Sequence, residues 1–252
     1  MCLVAIAWKV DPDFPLVISA NRDEFFERPT QKLHQWDSKI YAGKDLRSGG
    51  TWLGFHPNGR WALLTNYRDS SSSIKPTVSR GKLVQNWLEG QVTPKTYLEE
   101  IVKSQEKYEG FNLLVSDGKT LWYLSNYGNG IEEIKPGIHA ISNGLLNDPW
   151  PKTELAKVQL AALMKTEPNE NKLLHILKST ETYELEKLPN TGVSDDVEIG
   201  LSAQLIRIGE TYGTVSSTAV VQEASGLVRI KERTYQIKYR DYEDTSLSFM
   251  LI

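Results

Sequence analysis

The stretch that follows Met1 decides the fold: positions 2–25 read CLVAIAWKVDPDFPLVISANRDEF. Two apolar runs of buried-strand length, residues 3–8 and 15–20, flank the turn-like Asp11-Pro12-Asp13. This pattern predicts a β-hairpin. Because the end of the second strand of a hairpin lies beside the start of the first, residues 21–24 are expected to lie close to Cys2.

Working outward, the remaining patterns fall into strands, then helices, then strands. Strand patterns cover residues 51–55, 60–65, 111–116, 121–125, 138–141, 218–222 and 227–231. Helical spacing follows Ser79 and Thr93-Pro94 and covers residues 150–164 and 169–178. Without strict alternation of strand and helix, this order predicts an α+β protein with largely antiparallel sheets. No linker-like segment divides the chain, so we expect a single domain over residues 1–252.

Composition excludes several classes of protein. The 252 residues include 29 Lys and Arg, 32 Asp and Glu and one Cys, with a net charge of −3. One cysteine forms no internal disulfide and no Cys-rich metal site. Without a basic excess, we expect no nucleic-acid partner. No run approaches the ~20 apolar residues of a membrane span, and no signal peptide is recognisable, so we expect a cytoplasmic protein.

Cys2 is the first candidate for chemistry. If Met1 is removed, Cys2 presents a thiol and a free α-amine on one residue. An α-amine has a pKa of about 7.7–8.0, close to what a general base needs at neutral pH. A nucleophile activated by its own amine is an established catalytic arrangement. The alternative is that Cys2 is a small apolar residue that begins a buried strand.

The polar cluster at residues 21–24 is the second candidate. Asn21 and Asp23 share one face of an extended strand, and Arg22 and Glu24 share the other. Asp23 is placed to bind an amine on Cys2. Arg22 can bind a carboxylate, and its charge is expected to favour the Cys2 thiolate. The alternative is a charged loop at the exit of a strand.

Two asparagines end predicted strands, Asn66 and Asn143, and an amide at such a position can donate to a developing oxyanion. Arg68 and Lys152 are candidates for binding an anionic group. The alternatives are turn residues and ordinary surface charge. No pair among the four histidines has metal-ligand spacing, so no metal site is expected.

Short motifs in a fixed order identify a family. They are Met1-Cys2-Leu3, Asn21-Arg22-Asp23-Glu24, residues 49–54 (GGTWLG), Thr65-Asn66-Tyr67-Arg68, Ser142-Asn143, residues 188–192 (LPNTG), Tyr212-Gly213-Thr214 and Ser216-Ser217-Thr218. Together they resemble the NRDE family, also called the transport and Golgi organization 2 family. That family is similar to the cysteine N-terminal nucleophile hydrolases, such as penicillin V acylase and bile salt hydrolase.

The resemblance implies a four-layer αββα sandwich with mostly antiparallel sheets. It also implies catalytic roles. Cys2 would be the nucleophile, Asp23 would orient its amine, and Asn143 would help form the oxyanion hole with Asn66 nearby. One departure concerns Val215, where related sequences usually carry an arginine that balances charge at the cysteine. Arg22 or Arg207 could compensate.

Two functions follow from the resemblance. The first is hydrolysis or acyl transfer at an amide or thioester of a hydrophobic acyl group, with no cofactor required. The second is binding and trafficking of haem, acyl-coenzyme A or lipid, with a role in Golgi organisation and secretion. In either case the partner is a small hydrophobic anionic ligand. The residues expected to contact it are Asn21, Arg22, Arg68, Trp52 and Trp150.

Overall fold

The computed structural model describes residues 2–71, 76–236 and 241–252. Its strands are β1 (Cys2–Trp8), β2 (Leu16–Phe25), β3 (Thr30–Gln35), β4 (Tyr41–Asp45), β5 (Leu53–Phe55), β6 (Trp61–Asn66), β7 (Phe111–Ser116), β8 (Leu121–Ser125), β9 (Glu132–Glu133), β10 (Gly137–Ile141), β11 (Arg207–Ile208), β12 (Tyr212–Gln222), β13 (Leu227–Gln236) and β14 (Asp241–Met250). Its helices are α1 (Gly81–Glu89), α2 (Pro94–Val102), α3 (Pro151–Leu163), α4 (Glu170–Ile176) and α5 (Asp195–Gly200).

The chain divides into two compact units. The first comprises residues 1–27, 69–71 and 136–249, and the second comprises residues 28–68, 72–135 and 250–252. The sheet of the first unit has the strand order β10-β1-β2-β12-β13-β14, with β11 paired to β12. The sheet of the second unit runs in chain order from β3 to β9.

The predicted hairpin is present in the first unit. Strands β1 and β2 pair antiparallel, with Cys2 opposite Arg22 and Trp8 opposite Leu16. All seven residues of β1 are buried, which explains why its sequence is a continuous apolar run and does not alternate. The hairpin therefore brings the polar end of β2 to the first residue of β1.

Helices α3 and α4 cover one face of this sheet. The apolar cluster between them and the sheet contains Leu3, Ala5, Ala7, Val17, Ala140, Ala156, Leu160, Leu173, Leu174, Leu177, Ala219 and Val221. Because neighbouring residues of a strand point to opposite faces, Asn21 and Asp23 share the helix-covered face with Val17. Cys2 and Arg22 point to the opposite face.

The second unit repeats this plan with α1 and α2 against its sheet. Their buried residues Leu83, Val84, Leu98 and Ile101 join one apolar cluster with strands β6 and β7. Helix α2 begins as its sequence predicts, because the Thr93 hydroxyl accepts a hydrogen bond from the Thr96 N–H and Pro94 follows at the first helical position.

These observations confirm the α+β class with antiparallel sheets. Every strand pair whose register the structure gives is antiparallel. The single domain over residues 1–252 and the four-layer stacking stay predictions. No helix within the described part of the chain is long and apolar enough to cross a membrane.

Candidate active site

Cys2 is the first residue of β1, an inner strand of the first unit's sheet, and it is buried, with 6% of its surface exposed. The backbone N–H of Asp23 donates a hydrogen bond to its sulfur. Burial raises the pKa of the Cys2 thiol to about 11, and the negative charge of Asp23 also raises it, whereas Arg22 lowers it. Desolvation thus outweighs Arg22 in the chain that keeps Met1. That the α-ammonium group and Arg22 favour a thiolate in the chain that starts at Cys2 stays a prediction. Met1, whose removal the enzyme hypothesis requires, lies outside the described residues.

Asp23 is enclosed on the helix-covered face of the sheet, with 1% of its surface exposed. Strand β12 lies antiparallel to β2 and sets Thr214 opposite Asp23. The Thr214 hydroxyl donates to Asp23 Oδ1 at 2.7 Å and accepts from the Ile206 N–H at 2.9 Å. Burial raises the pKa of Asp23, while Lys152, the Thr214 hydrogen bond and Arg22 lower it. The site thus holds a carboxyl group that resists ionisation unless cations support it.

Lys152 is a buried lysine, with only 2% of its surface exposed. The alternative of ordinary surface charge is therefore wrong, and its binding of an anionic group stays a prediction. Lys152 is the second residue of α3, and its Nζ donates to the Leu201 carbonyl at 2.7 Å. Its charge acts on Asp23. No local sequence pattern distinguishes a buried lysine from a surface lysine. The segment Pro149-Trp150-Pro151-Lys152 indicates only that Lys152 lies at the start of a helix.

Ser142 and Asn143 follow β10, which pairs with β1 through Val4 opposite Ile141. The hydroxyl of Ser142, the residue after Ile141, donates to the Cys2 carbonyl at 2.9 Å and lies 3.3 Å from Asn143 Oδ1. Asn143 is 1% exposed. With its oxygen turned to Ser142, the Asn143 amide directs its NH₂ group elsewhere, and an NH₂ group is the donor that an oxyanion requires.

The Asn21 amide makes several hydrogen bonds within the first unit. Its Nδ2 donates to the carbonyls of Leu177 at 2.8 Å and Gln204 at 2.9 Å, and its Oδ1 accepts from the Ser217 hydroxyl at 2.6 Å. These bonds tie β2 to the end of α4, to residue 204 and to β12. The geometry therefore gives Asn21 a structural task, and its contact with a substrate stays a prediction.

Arg22 and Trp150 also belong to the first unit. Arg22 is buried on the same face as Cys2, and its guanidinium lies 3.5 Å from the Glu24 carboxylate. Trp150 is half-buried at the N-cap of α3. Its ring lies so close to Gly144 that a Cβ there would lie 2.8 Å from Cζ2. Trp150 thus packs on the loop that carries Asn143.

The other candidates belong to the second unit. Asn66 is the last residue of β6, opposite Phe111 of β7, and Arg68 is half-buried two residues later. Trp52 is half-buried, and its carbonyl accepts from the Leu64 N–H at 2.7 Å. Their convergence with Cys2 stays a prediction.

Val215 occupies a β-bulge in β12. Thr214 pairs with Asp23 and Ser216 pairs with Arg22, so Val215 is the extra residue between them. Arg207, one of the two proposed replacements for the missing arginine, is exposed on β11. Arg22 and Lys152 are the cations whose charge acts on Asp23 among the described side chains, and Arg22 also acts on Cys2.

The described residues were also considered as ligands for a metal ion. Among residues 2–71, 76–236 and 241–252, no group of three or more His, Cys, Asp or Glu side chains is placed to hold a metal ion. The chemistry that the site offers is that of a buried thiol, a carboxyl group, an ammonium group and an amide.

Comparison with known proteins gives the family. The profile described as "Transport and Golgi organisation 2" matches residues 1–237. The chain is similar to the Homo sapiens Transport and Golgi organization protein 2 homolog, with 29% identity over 97% of each chain. It is also similar to the Mus musculus homolog, with 29% identity over 93% of each chain. The Drosophila melanogaster protein is 25% identical over 93% of this chain and 92% of its own.

Two solved structures are similar at lower levels. One is a Caenorhabditis elegans N-acylethanolamine-hydrolyzing acid amidase ortholog, with a TM-score of 0.47 and 13% identity over 87% of this chain and 92% of that one. The other is a mutant conjugated bile acid hydrolase from Clostridium perfringens, with a TM-score of 0.44 and 10% identity over 99% and 92%. The profile match covers nearly the whole chain, and so the chain belongs to the Transport and Golgi organisation 2 family.

Proposed function

We propose that the protein is a hydrolase or acyltransferase of the N-terminal nucleophile type, acting on an amide or thioester of a hydrophobic acyl group. One observation carries the proposal: Cys2, Asp23 and the Ser142-Asn143 pair meet at one end of a sheet. The Asp23 N–H bonds the sulfur, and the Ser142 hydroxyl bonds the Cys2 carbonyl.

The proposed reaction begins when Met1 is removed and Cys2 gains a free α-amine. The amine takes the thiol proton, and the sulfur attacks the acyl carbonyl to form a thioester with the protein. The leaving amine or thiol carries that proton away. Water then hydrolyses the thioester, with the amine as base again. In the chain that keeps Met1, burial raises the pKa of the thiol to about 11, so the thiol stays protonated at neutral pH; the free amine is the base that the proposal adds.

The other groups support separate steps of this proposal. Asp23 orients the amine of Cys2, and Asn143 donates to the oxyanion that forms on the oxygen of the acyl carbonyl, with Asn66 as a second donor. Trp52 and Trp150 would contact the apolar chain. Arg22 and Arg68 would bind an anionic part of the substrate, as coenzyme A carries.

The test compares turnover of palmitoyl-coenzyme A by the chain that starts at Cys2 with turnover by three variants. Cys2→Ser is nearly isosteric and should lose at least about a hundredfold in rate, since the nucleophile is lost. Asp23→Asn should also slow the reaction. Asp13→Asn changes an exposed acid in the β1–β2 turn and should leave the rate unchanged. Turnover that persists in Cys2→Ser contradicts the proposal.

One observation favours a second function, binding without chemistry. The Cys2 thiol is buried and its pKa is about 11, so the chain that keeps Met1 has an unreactive sulfur at neutral pH. Such a chain could carry haem, acyl-coenzyme A or a lipid, and the relatives' names associate them with transport and Golgi organization. Under this function, Cys2→Ala retains affinity for haem or palmitoyl-coenzyme A in a titration, and no variant shows turnover.

A further inference from the structure

Lys152 is a lysine buried to 2% exposure, which is rare unless the charge is paired. We propose that Lys152 is a positioning residue of the Cys2 site: its ammonium group keeps the Asp23 carboxylate ionised, so that Asp23 can orient the amine of Cys2. The inference rests on the proposed function. Related sequences usually carry an arginine at the position of Val215, and Lys152 on α3 would supply the positive charge in its place.

Residues 201–206 link Lys152 to Asp23 through hydrogen bonds at the two ends of this segment. Lys152 donates to the Leu201 carbonyl, where this segment begins. At its other end, the Ile206 N–H donates to the Thr214 hydroxyl, which donates to Asp23. Every residue of the segment except Leu205 is buried. Lys152 and Asp23 are thus both held by one buried segment, away from water that could screen their charges.

The groups that act electrostatically on Asp23 come from several elements. Among the described residues they are Lys152 from α3, Arg22 from β2 itself and Cys2 from β1, with the uncharged Thr214 from β12. Arg22 points to the other face of the sheet and is paired with Glu24. Lys152 is therefore the side-chain cation best placed to hold the Asp23 charge.

The chemical consequence concerns both Asp23 and the amine. A protonated Asp23 is a weak partner for an ammonium group, because it lacks the negative charge. An ionised Asp23 without a nearby cation would raise the pKa of the amine and make it a poor base at neutral pH. Lys152 opposes both effects, since its positive charge lowers the pKa of each neighbour.

The test uses Lys152→Met, which removes the charge and keeps the length, and Lys152→Arg, which keeps the charge. Lys157→Met is the matched control, because Lys157 lies on the same helix in a partly exposed ion pair with Glu154. Two properties are measured in chains that start at Cys2. The first is the titration of Asp23, from ¹³C NMR of the carboxyl carbons assigned with Asp23→Asn. The second is the pH profile of Cys2 alkylation by iodoacetamide.

In Lys152→Met, the Asp23 titration and the acid limb of the alkylation profile should both move to higher pH by about 1 unit or more. Lys152→Arg should restore most of the shift, and Lys157→Met should cause none. An unmoved Asp23 titration in folded Lys152→Met overturns the inference. A moved titration supports the Lys152 assignment even if the wild-type cysteine proves inert, an outcome that contradicts the proposed function alone.

A second measurement covers the case in which Lys152→Met does not fold. If Lys152 and Asp23 are a buried charge pair, removing both charges in Asp23→Asn with Lys152→Met should restore folding that the single change loses. A double variant as unstable as Lys152→Met would overturn the inference, because the lysine would then have a partner other than Asp23.

Discussion

Replacing Thr214 by valine should destabilise the protein by about 3 kcal/mol, and more at high pH than at low pH. The change keeps the shape and removes one hydroxyl, which donates to Asp23 at 2.7 Å and accepts from the Ile206 N–H at 2.9 Å. A hydrogen bond to a charged group contributes about 1.5–3 kcal/mol, and a buried N–H without a partner costs about 1–3 kcal/mol. Together these two contributions give the expected loss of about 3 kcal/mol, because the structure around the lost hydroxyl relaxes and recovers part of the free energy.

The pH dependence follows from the raised pKa of Asp23. Because the folded state holds this proton more tightly than the unfolded state does, stability falls as the pH rises from about 4 through the folded pKa. Losing the Thr214 hydrogen bond raises that pKa further. The deficit of the variant should therefore be larger at pH 8 than at pH 4.5.

Urea unfolding at the two pH values measures both effects. Thr153→Val is the matched control, since the buried Thr153 hydroxyl lies 2.6 Å from the carbonyl of Asp148 and 2.8 Å from that of Trp150, both uncharged groups. It should cost stability equally at both pH values. A loss below about 0.5 kcal/mol in Thr214→Val, or the same loss at both pH values, would refute the reasoning.

Two further predictions concern the same sheet. Asn21→Leu should lower the free energy of unfolding by about 3 kcal/mol in a urea titration, because it leaves the Leu177 and Gln204 carbonyls and the Ser217 hydroxyl without their partner; a loss below about 1 kcal/mol would contradict this. In the chain that keeps Met1, alkylation of Cys2, the one cysteine of the chain, should accelerate about tenfold per pH unit from pH 7 towards 11, because the thiolate fraction does so. A rate that levels off near pH 8 would show an ordinary exposed thiol.

The sequence predicts the strands that are buried and the helix that is well capped. Strand β1 is a continuous apolar run, β2 begins with one, and Thr93-Pro94 marks the start of α2. It does not predict β14, whose residues are mostly exposed and therefore carry no apolar pattern. The helical spacing after Ser79 predicts α1 but not its cap: α1 begins at Gly81, with Arg80 at the N-cap and no hydrogen bond from a capping side chain.

Strand β12 and the candidate site are likewise predicted only in part by the sequence. The sequence indicates only residues 218–222, yet β12 begins at Tyr212, because its first half is polar and contains the bulge at Val215. The register of the hairpin places Asp23 beside Cys2, and the two apolar runs of the hairpin predict that proximity. The sequence does not predict the burial of Lys152, because that burial depends on the packing of α3 and on residues 201–206, which are far away in the chain.

The central claim is that Cys2 is a nucleophile once Met1 is removed. The most direct test is the intact mass of the protein, quenched in acid milliseconds after mixing with palmitoyl-coenzyme A. We predict a palmitoyl adduct on Cys2 in the chain that starts there, and none in Cys2→Ala or in the chain that keeps Met1. No adduct in the processed chain, or an equal adduct in Cys2→Ala, would contradict it.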